Sequence, residues 1–174
     1  MSRGRPESAT KRPLYSPEER ARRDQTGWTL VQGALAPLQF AIFLVSLALV
    51  LRYLVTGAGE SAATISVVVK TIALYAIMIT GSIWEKAVFG KYLFARPFLW
   101  EDTFSILVLS LHTAYLAALV FRLLEPRALM LLALAAYATY VVNASQFLLK
   151  LRAARLDAGA SLAPSRSVRL EPAS

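Results

Sequence analysis

The stretch QTGWTLVQGALAPLQFAIFLVSLALVL, residues 25–51, contains no charged side chain. As a helix rising ~1.5 Å per residue, it is longer than the roughly 30 Å of hydrocarbon in a bilayer. Three further windows read the same way: 61–84 carries only Lys70, 103–121 carries no formal charge beyond His112, and 128–149 carries none. The windows are 27, 24, 19 and 22 residues long. They predict an all-α polytopic membrane protein of one domain, with four transmembrane helices in a bundle. The windows are too long and too uniformly apolar for a soluble bundle, whose helices keep a polar outer face.

Composition agrees. Apolar residues make up 56% of the 174-residue chain, above the roughly 45–50% of soluble domains. The absence of cysteine excludes a disulfide-stapled module and a thiolate-ligated metal or iron–sulfur centre. No cleavable signal is expected, because a long polar segment precedes the first apolar run.

A net charge of +8 would suit nucleic acid, but the positions of the basic residues argue otherwise. Seven lie before the first window (Arg3, Arg5, Lys11, Arg12, Arg20, Arg22, Arg23) and three between the second and third (Lys86, Lys91, Arg96). Five follow the fourth (Lys150, Arg152, Arg155, Arg166, Arg169), and only Arg52, Arg122 and Arg127 fall on the other side. This asymmetry places both termini and the 85–102 loop in the cytoplasm. The charge is a topology signal, with contact to anionic lipid as a secondary use. No nucleic-acid partner is expected, since the basic tails carry no recognition motif and no interleaved aromatics.

Residues 1–24 read as a cytoplasmic N-terminal segment. Within it, Ser16-Pro17-Glu18-Glu19 has the pattern of a helix start: a capping hydroxyl, proline in the first turn, then acids. The membrane domain covers 25–156, with spans at about 28–51, 63–84, 103–120 and 128–149. Pro37 is expected to kink the first, and Gly57-Ala58-Gly59 to turn the chain between the first two. Residues 157–174 read as a disordered tail.

Polar residues inside a span mark the face that meets protein, water or ligand. Gln32, Gln39 and Ser46 share one stripe of span one; Thr71, Tyr75, Ser82 and Glu85 share one of span two. Glu101, Ser105, His112 and Tyr115 follow the same spacing in span three, and Thr139, Asn143, Gln146 and Lys150 in span four. Four such stripes predict a polar interior. Most of these residues fall in the cytoplasmic half, so the expectation is a cavity open to the cytoplasm. Glu85, Glu101 and Asp102 stand at its mouth, and His112 lies roughly 16 Å deeper than Glu101. An aromatic loop (Phe89, Tyr92, Phe94, Phe98, Trp100) sits over the mouth. Lys70 is placed nearer the outer side, snorkelling or paired. Each group also has a plain structural reading: amides and hydroxyls bond between helices, Glu101 and Asp102 cap a helix start, Glu85 pairs with Lys86 at the interface. One histidine and no cysteine cannot build a metal site of the chain's own.

The strings WTLVQGALAPLQF (28–40), VVVKTIALYAIMITGSIWEKAVFGKYLFA (67–95), LWEDTFSILVLSLHTAYLAAL (99–119) and AYATYVVNASQFLLKLRAARL (136–156) resemble the 2-vinyl bacteriochlorophyllide hydratase family. The likeness extends over about residues 13–156, and its SIWEK, KYLFA and WED–H stretches are distinctive. The resemblance implies addition of water across the C3 vinyl group of a chlorophyllide to give a 1-hydroxyethyl group. It also implies no dissociable cofactor, a Mg-chlorin substrate and a location in the intracytoplasmic photosynthetic membrane of a bacterium. Association with other enzymes of bacteriochlorophyll synthesis fits the same picture.

Hydration of an unactivated vinyl group needs a positioned acid to protonate the terminal carbon and an activated water to capture the cation. On that reading the candidate acids are Glu101 or Glu85, with Asp102 positioning or deprotonating water. His112 is either a second proton carrier or, the reading favoured by its depth, an axial ligand to the substrate's magnesium. Gln39, Ser82, Ser105, Asn143 and Gln146 are candidate lining groups. Tyr92 and Trp100 are candidates to stack on the macrocycle, and Lys86 and Arg96 to hold its carboxylate. The alternative is a non-catalytic pigment-binding or photosystem assembly factor. A transporter or quinone-interacting subunit would need polar lining on both sides of the midplane, and here the polar groups cluster towards one.

Overall fold

The computed structural model describes residues 14–161, and their side chains as far as residue 153. The basic residues Arg3, Arg5, Lys11, Arg12, Arg166 and Arg169 therefore lie outside the described residues. Helix α1 spans Pro17–Gln25, α2 Trp28–Thr56, α3 Glu60–Phe89, α4 Leu99–Val120 and α5 Pro126–Ser161, with a 3-10 turn at Arg96–Phe98 leading into α4.

Local chemistry explains the ends. Ser16 caps α1 reciprocally: its hydroxyl accepts from the Glu19 amide at 3.2 Å, and its own amide donates to the Glu19 carboxylate at 2.7 Å. Gly57 and Gly59 take left-handed backbone (φ 72° and 87°), which lets α2 and α3 turn back on each other in three residues. Gly90 ends α3 in the same way (φ 79°), its amide donating to the Lys86 carbonyl. Helix α2 continues through Pro37. Residues 157–161, read from the sequence as tail, are helical within α5.

Helices α2 to α5 are each long and apolar enough to cross a membrane. They form two antiparallel hairpins, α2–α3 and α4–α5; α5 also packs on α2 and α3, and α3 on α4. Phe43, Val50, Val67, Leu74, Val108, Met130, Ala133 and Tyr137 fill the centre. Large apolar side chains such as Leu44, Val45, Val55, Ile72, Ile79 and Leu131 face outward, as helices surrounded by lipid require.

At one end, α1 folds against the end of α3. Tyr15 is buried there, stacked on Phe89 at 5.7 Å, with the Arg23 guanidinium 4.9 Å over its ring. Burial pushes the Tyr15 hydroxyl above its ordinary pKa, and Arg23 works in the opposite direction. Trp84 donates to the Thr29 hydroxyl at 3.0 Å, and that hydroxyl donates to the Arg23 carbonyl at 2.6 Å. Phe98, Phe89, Trp84 and Phe147 complete a small aromatic core. This second core fixes the frame on which the carboxylates sit.

Candidate active site

Three carboxylates, Glu85, Glu101 and Asp102, gather at the α1 end, each under 10% exposed. Glu85 comes from the last turn but one of α3, the other two from the first turn of α4. The connection between the helices decides how they divide. Phe94 adopts left-handed backbone (φ 59°), a conformation that costs a non-glycine residue about 1 kcal/mol or more. In that conformation its amide donates to the Asp102 carboxylate at 2.6 Å, and the next amide, of Ala95, donates to Glu85 at 3.3 Å. Consecutive amides of one loop thus hold the Glu85 and Asp102 carboxyl groups on the same side of the connection.

Glu101 is engaged elsewhere. Lys150 of α5 reaches it at 2.7 Å and lies 4.9 Å over the Phe98 ring. Glu85 and Asp102 are therefore held by loop amides, and Glu101 by an ammonium. Lys150→Met is expected to lower stability by about 1–3 kcal/mol, because Glu101 is left buried without its charged partner. Thermal unfolding in detergent measures it, and an unchanged midpoint would refute the pairing.

The remaining sequence candidates separate into interior and rim. Asn143 donates to the Ser105 hydroxyl at 2.8 Å. Gln39 Nε2, Asn143 Oδ1 and Gln146 Oε1 are buried and have no partner. Ser82 donates to the Ile79 carbonyl of its own helix from an exposed position, so it does not join them. Tyr92 and Trp100 are 60% and 69% exposed. Lys86 donates to the Gly90 carbonyl and lies 5.2 Å over the Tyr92 ring. Arg96 is exposed beside them. Of the five loop aromatics, Phe89 and Phe98 turn into the second core, while Tyr92, Phe94 and Trp100 face outward.

The stripes face inward, but they do not line the open cavity expected from the sequence. Gln39, Glu85, Glu101, Asp102 and Ser105 are buried; the loop amides engage Glu85 and Asp102, Lys150 engages Glu101 and Asn143 engages Ser105, which closes the mouth. Two clefts lie elsewhere. One of about 320 Å³ runs on the surface between α2 and α3, beside Val45 and Ser66. The other, of about 550 Å³, lies at the opposite end among Glu60, Thr64, Arg122 and Glu125.

A second polar group occupies the middle of the bundle. His112 is fully buried, with Nδ1 2.8 Å from the Val108 carbonyl. A carbonyl only accepts, so that bond assigns the ring proton to Nδ1 and leaves the lone pair on Nε2. Nε2 has no partner. Lys70 does not snorkel or pair: it is fully buried, with Nζ 3.8 Å over the Tyr140 ring and no hydrogen bond. Tyr137, 5.9 Å from the His112 ring, bonds Ser46 at 2.6 Å, and Ser46 bonds Ser66 at 2.8 Å. Tyr137 and Tyr140 escaped the sequence reading. The available signal was their three-residue spacing on the face that also carries Ala133 and Ala136.

A bundle of four membrane-length helices that buries a carboxyl pair behind an aromatic rim defines a helical, membrane-type protein with a buried acidic cluster at one end. The chain belongs to the 2-vinyl bacteriochlorophyllide hydratase (BCHF) family, whose model matches residues 15–153. It is 63% identical over 151 residues to the 2-vinyl bacteriochlorophyllide hydratase of Cereibacter sphaeroides, covering 86% of this chain and 93% of that protein. It is 62% identical over 153 residues to the protein of the same name from Rhodobacter capsulatus, covering 88% and 89%. No solved structure matches.

Proposed function

We propose that this chain is a membrane hydro-lyase that adds water to the C3 vinyl group of a chlorophyllide in bacteriochlorophyll biosynthesis. The observation that carries the chemistry is the placing of two buried carboxyls, Glu85 and Asp102, on consecutive amides of one loop. Two carboxyl groups buried together without a cation between them do not both ionise, so the pair holds an acid and a base. Glu101, bound to Lys150, is the weaker candidate for proton donor.

In the reaction, Glu85 gives its proton to the terminal CH2 of the vinyl group. The cation forms at the adjacent carbon and spreads into the macrocycle, and the neighbouring carboxylates stabilise it electrostatically. Water attacks that carbon and passes a proton to Asp102, so the pair ends with the single proton it began with. The addition is redox-neutral: H from Glu85 and OH from water are added, and the proton that water releases restores the pair.

The rim residues Tyr92, Phe94 and Trp100 offer flat faces to the macrocycle, while Lys86 and Arg96 draw the anionic pigment towards it. Loop 90–95 covers both carboxyls, and its strained Phe94 backbone makes the Asp102 contact a natural place to open. Ser105, Asn143, Gln146 and Gln39 supply hydrogen-bonding groups behind the pair, and His112 a lone pair for the substrate's magnesium.

The α1 end faces the cytoplasm on this reading. Arg20, Arg22, Arg23, Lys86, Lys91, Arg96, Lys150 and Arg152 all cluster there, against Arg52, Arg122 and Arg127 at the other end. The chain is a multi-pass protein of the bacterial photosynthetic membrane, its membrane domain spanning 25–156, surrounded by lipid and adjacent to other enzymes of the pathway.

The deciding experiment incubates membranes containing the chain with a 3-vinyl chlorophyllide and weighs the pigment by mass spectrometry. A product heavier by one water is expected. Pigment that binds but gains no mass would leave a pigment-binding factor in place of an enzyme.

A further inference from the structure

We propose, resting on the chlorophyllide reading above, that Lys70 is the seat of the pigment's carboxylate, an anion subsite in the middle of the bundle. Lys70 is 0% exposed, and its Nζ has no hydrogen-bond partner. Among the described residues the ion pairs are Arg23–Asp24 and Lys150–Glu101, and neither includes it. The Tyr140 face 3.8 Å away attracts a cation without accepting its N–H bonds in full. A buried ammonium lacking a counter-charge is among the costliest groups a fold can carry, so it marks a place where an anion is received.

Its surroundings narrow the ligand. His112 contributes a buried, unpartnered Nε2 from α4. Phe43 of α2 and Tyr137 and Tyr140 of α5 close the remaining sides, with Phe43 5.4 Å and 5.0 Å from the two tyrosine rings. Lys70 is a donor without an acceptor. Nε2 is a lone pair without a donor or metal, and these groups do not satisfy one another. A carboxylate fills the first need and a magnesium ion the second, and a chlorophyllide carries both on one rigid, apolar ring.

The ammonium is deep in the bundle: Lys70 lies fifteen residues from Glu85 on α3, about 22 Å along the helix. The rim cations are less suited to be the final seat: Lys86 is tied to the Gly90 carbonyl, and Arg96 is exposed to solvent.

The test is a binding titration with the full chain in lipid nanodiscs, followed by pigment absorbance and needing no turnover. The probes are a 3-vinyl chlorophyllide and its propionate methyl ester. The unaltered protein is expected to bind the free acid at least about tenfold more tightly than the ester, the worth of hydrogen bonds to a charged partner. Lys70→Met brings acid affinity down to that of the ester and leaves the ester unchanged. Lys70→Gln, which keeps a donor and loses the charge, gives the same loss should the Met variant not accumulate. The pigment-free thermal midpoint of Lys70→Met stays level or rises, because an unpaired charge is removed; a fall would mean that Lys70 is already partnered within the chain, against the proposal. Equal binding of acid and ester by the unaltered protein overturns it. So does acid preference that survives Lys70→Met but disappears with Lys86→Met and Arg96→Met. Acid preference that is lost in Lys70→Met, with pigment never hydrated, counts against the hydratase reading alone and supports Lys70 as the seat.

Discussion

Glu85→Gln slows vinyl hydration by about 10²–10⁴-fold, the range expected when a positioned general acid is removed, while pigment affinity stays within a factor of about three. The substitution keeps the size and the Ala95 amide contact of the side chain but deletes the acidic proton. Asp102→Asn is expected to match it, since Asn still accepts from the Phe94 amide yet cannot take a proton from water. Because the two act as one unit, the double variant should be hardly worse than either single one. Glu101→Gln serves as the internal comparison. Its carboxylate is bound to Lys150, so its loss should cost less than tenfold in rate and show mainly as reduced stability. Initial rates at saturating pigment, alongside an absorbance titration, separate these outcomes. Should Glu101→Gln prove inactive and Glu85→Gln fully active, the division of the three carboxylates drawn from the loop would be reversed.

That division was the part of the site the sequence could not express. Helix spacing put Glu85, Glu101 and Ser105 on inward stripes, and the structure buries all three. Periodicity fixes a face, however, and not a partner. Which carboxyl meets which depends on Phe94, whose left-handed backbone no glycine announces, and on Lys150 arriving from a helix nearly fifty residues away. Lys70 shows the same limit. On a single helix a lone lysine in an apolar run looks like one that snorkels, and only the approach of Tyr140 from α5 reveals that it turns inward. The aromatic loop was read as one surface because composition carries no direction. Phe89 and Phe98 are drawn in by Trp84, Phe147 and Tyr15, leaving three rings outside. The four apolar helices were plain from the start, because hydrocarbon thickness constrains every residue of a span at once.

His112→Leu should weaken binding of the magnesium pigment by roughly 10–100-fold, the scale on which metal sites respond to loss of supporting groups, and leave the magnesium-free pigment unaffected. Three observations combine to give this. The bond from Nδ1 to the Val108 carbonyl fixes the tautomer, orients the ring and leaves Nε2 as the free lone pair, the arrangement that ligating histidines share. Burial among Val108, Tyr115 and Tyr137 excludes water from competing for the metal. The depth, roughly 16 Å from Glu101 by helix rise, keeps the imidazole away from the chain's carboxylates, so none of them competes with it for the metal. A proton-carrying role makes the opposite forecast: His112→Leu would lower turnover of the bound pigment and weaken magnesium and magnesium-free forms equally or not at all. Paired titrations of a chlorophyllide and its demetallated counterpart, against the unaltered protein and His112→Leu, distinguish the two. The magnesium preference of the unaltered protein must vanish in the variant for the ligand assignment to stand, and a preference that persists assigns the Nε2 lone pair to proton transfer.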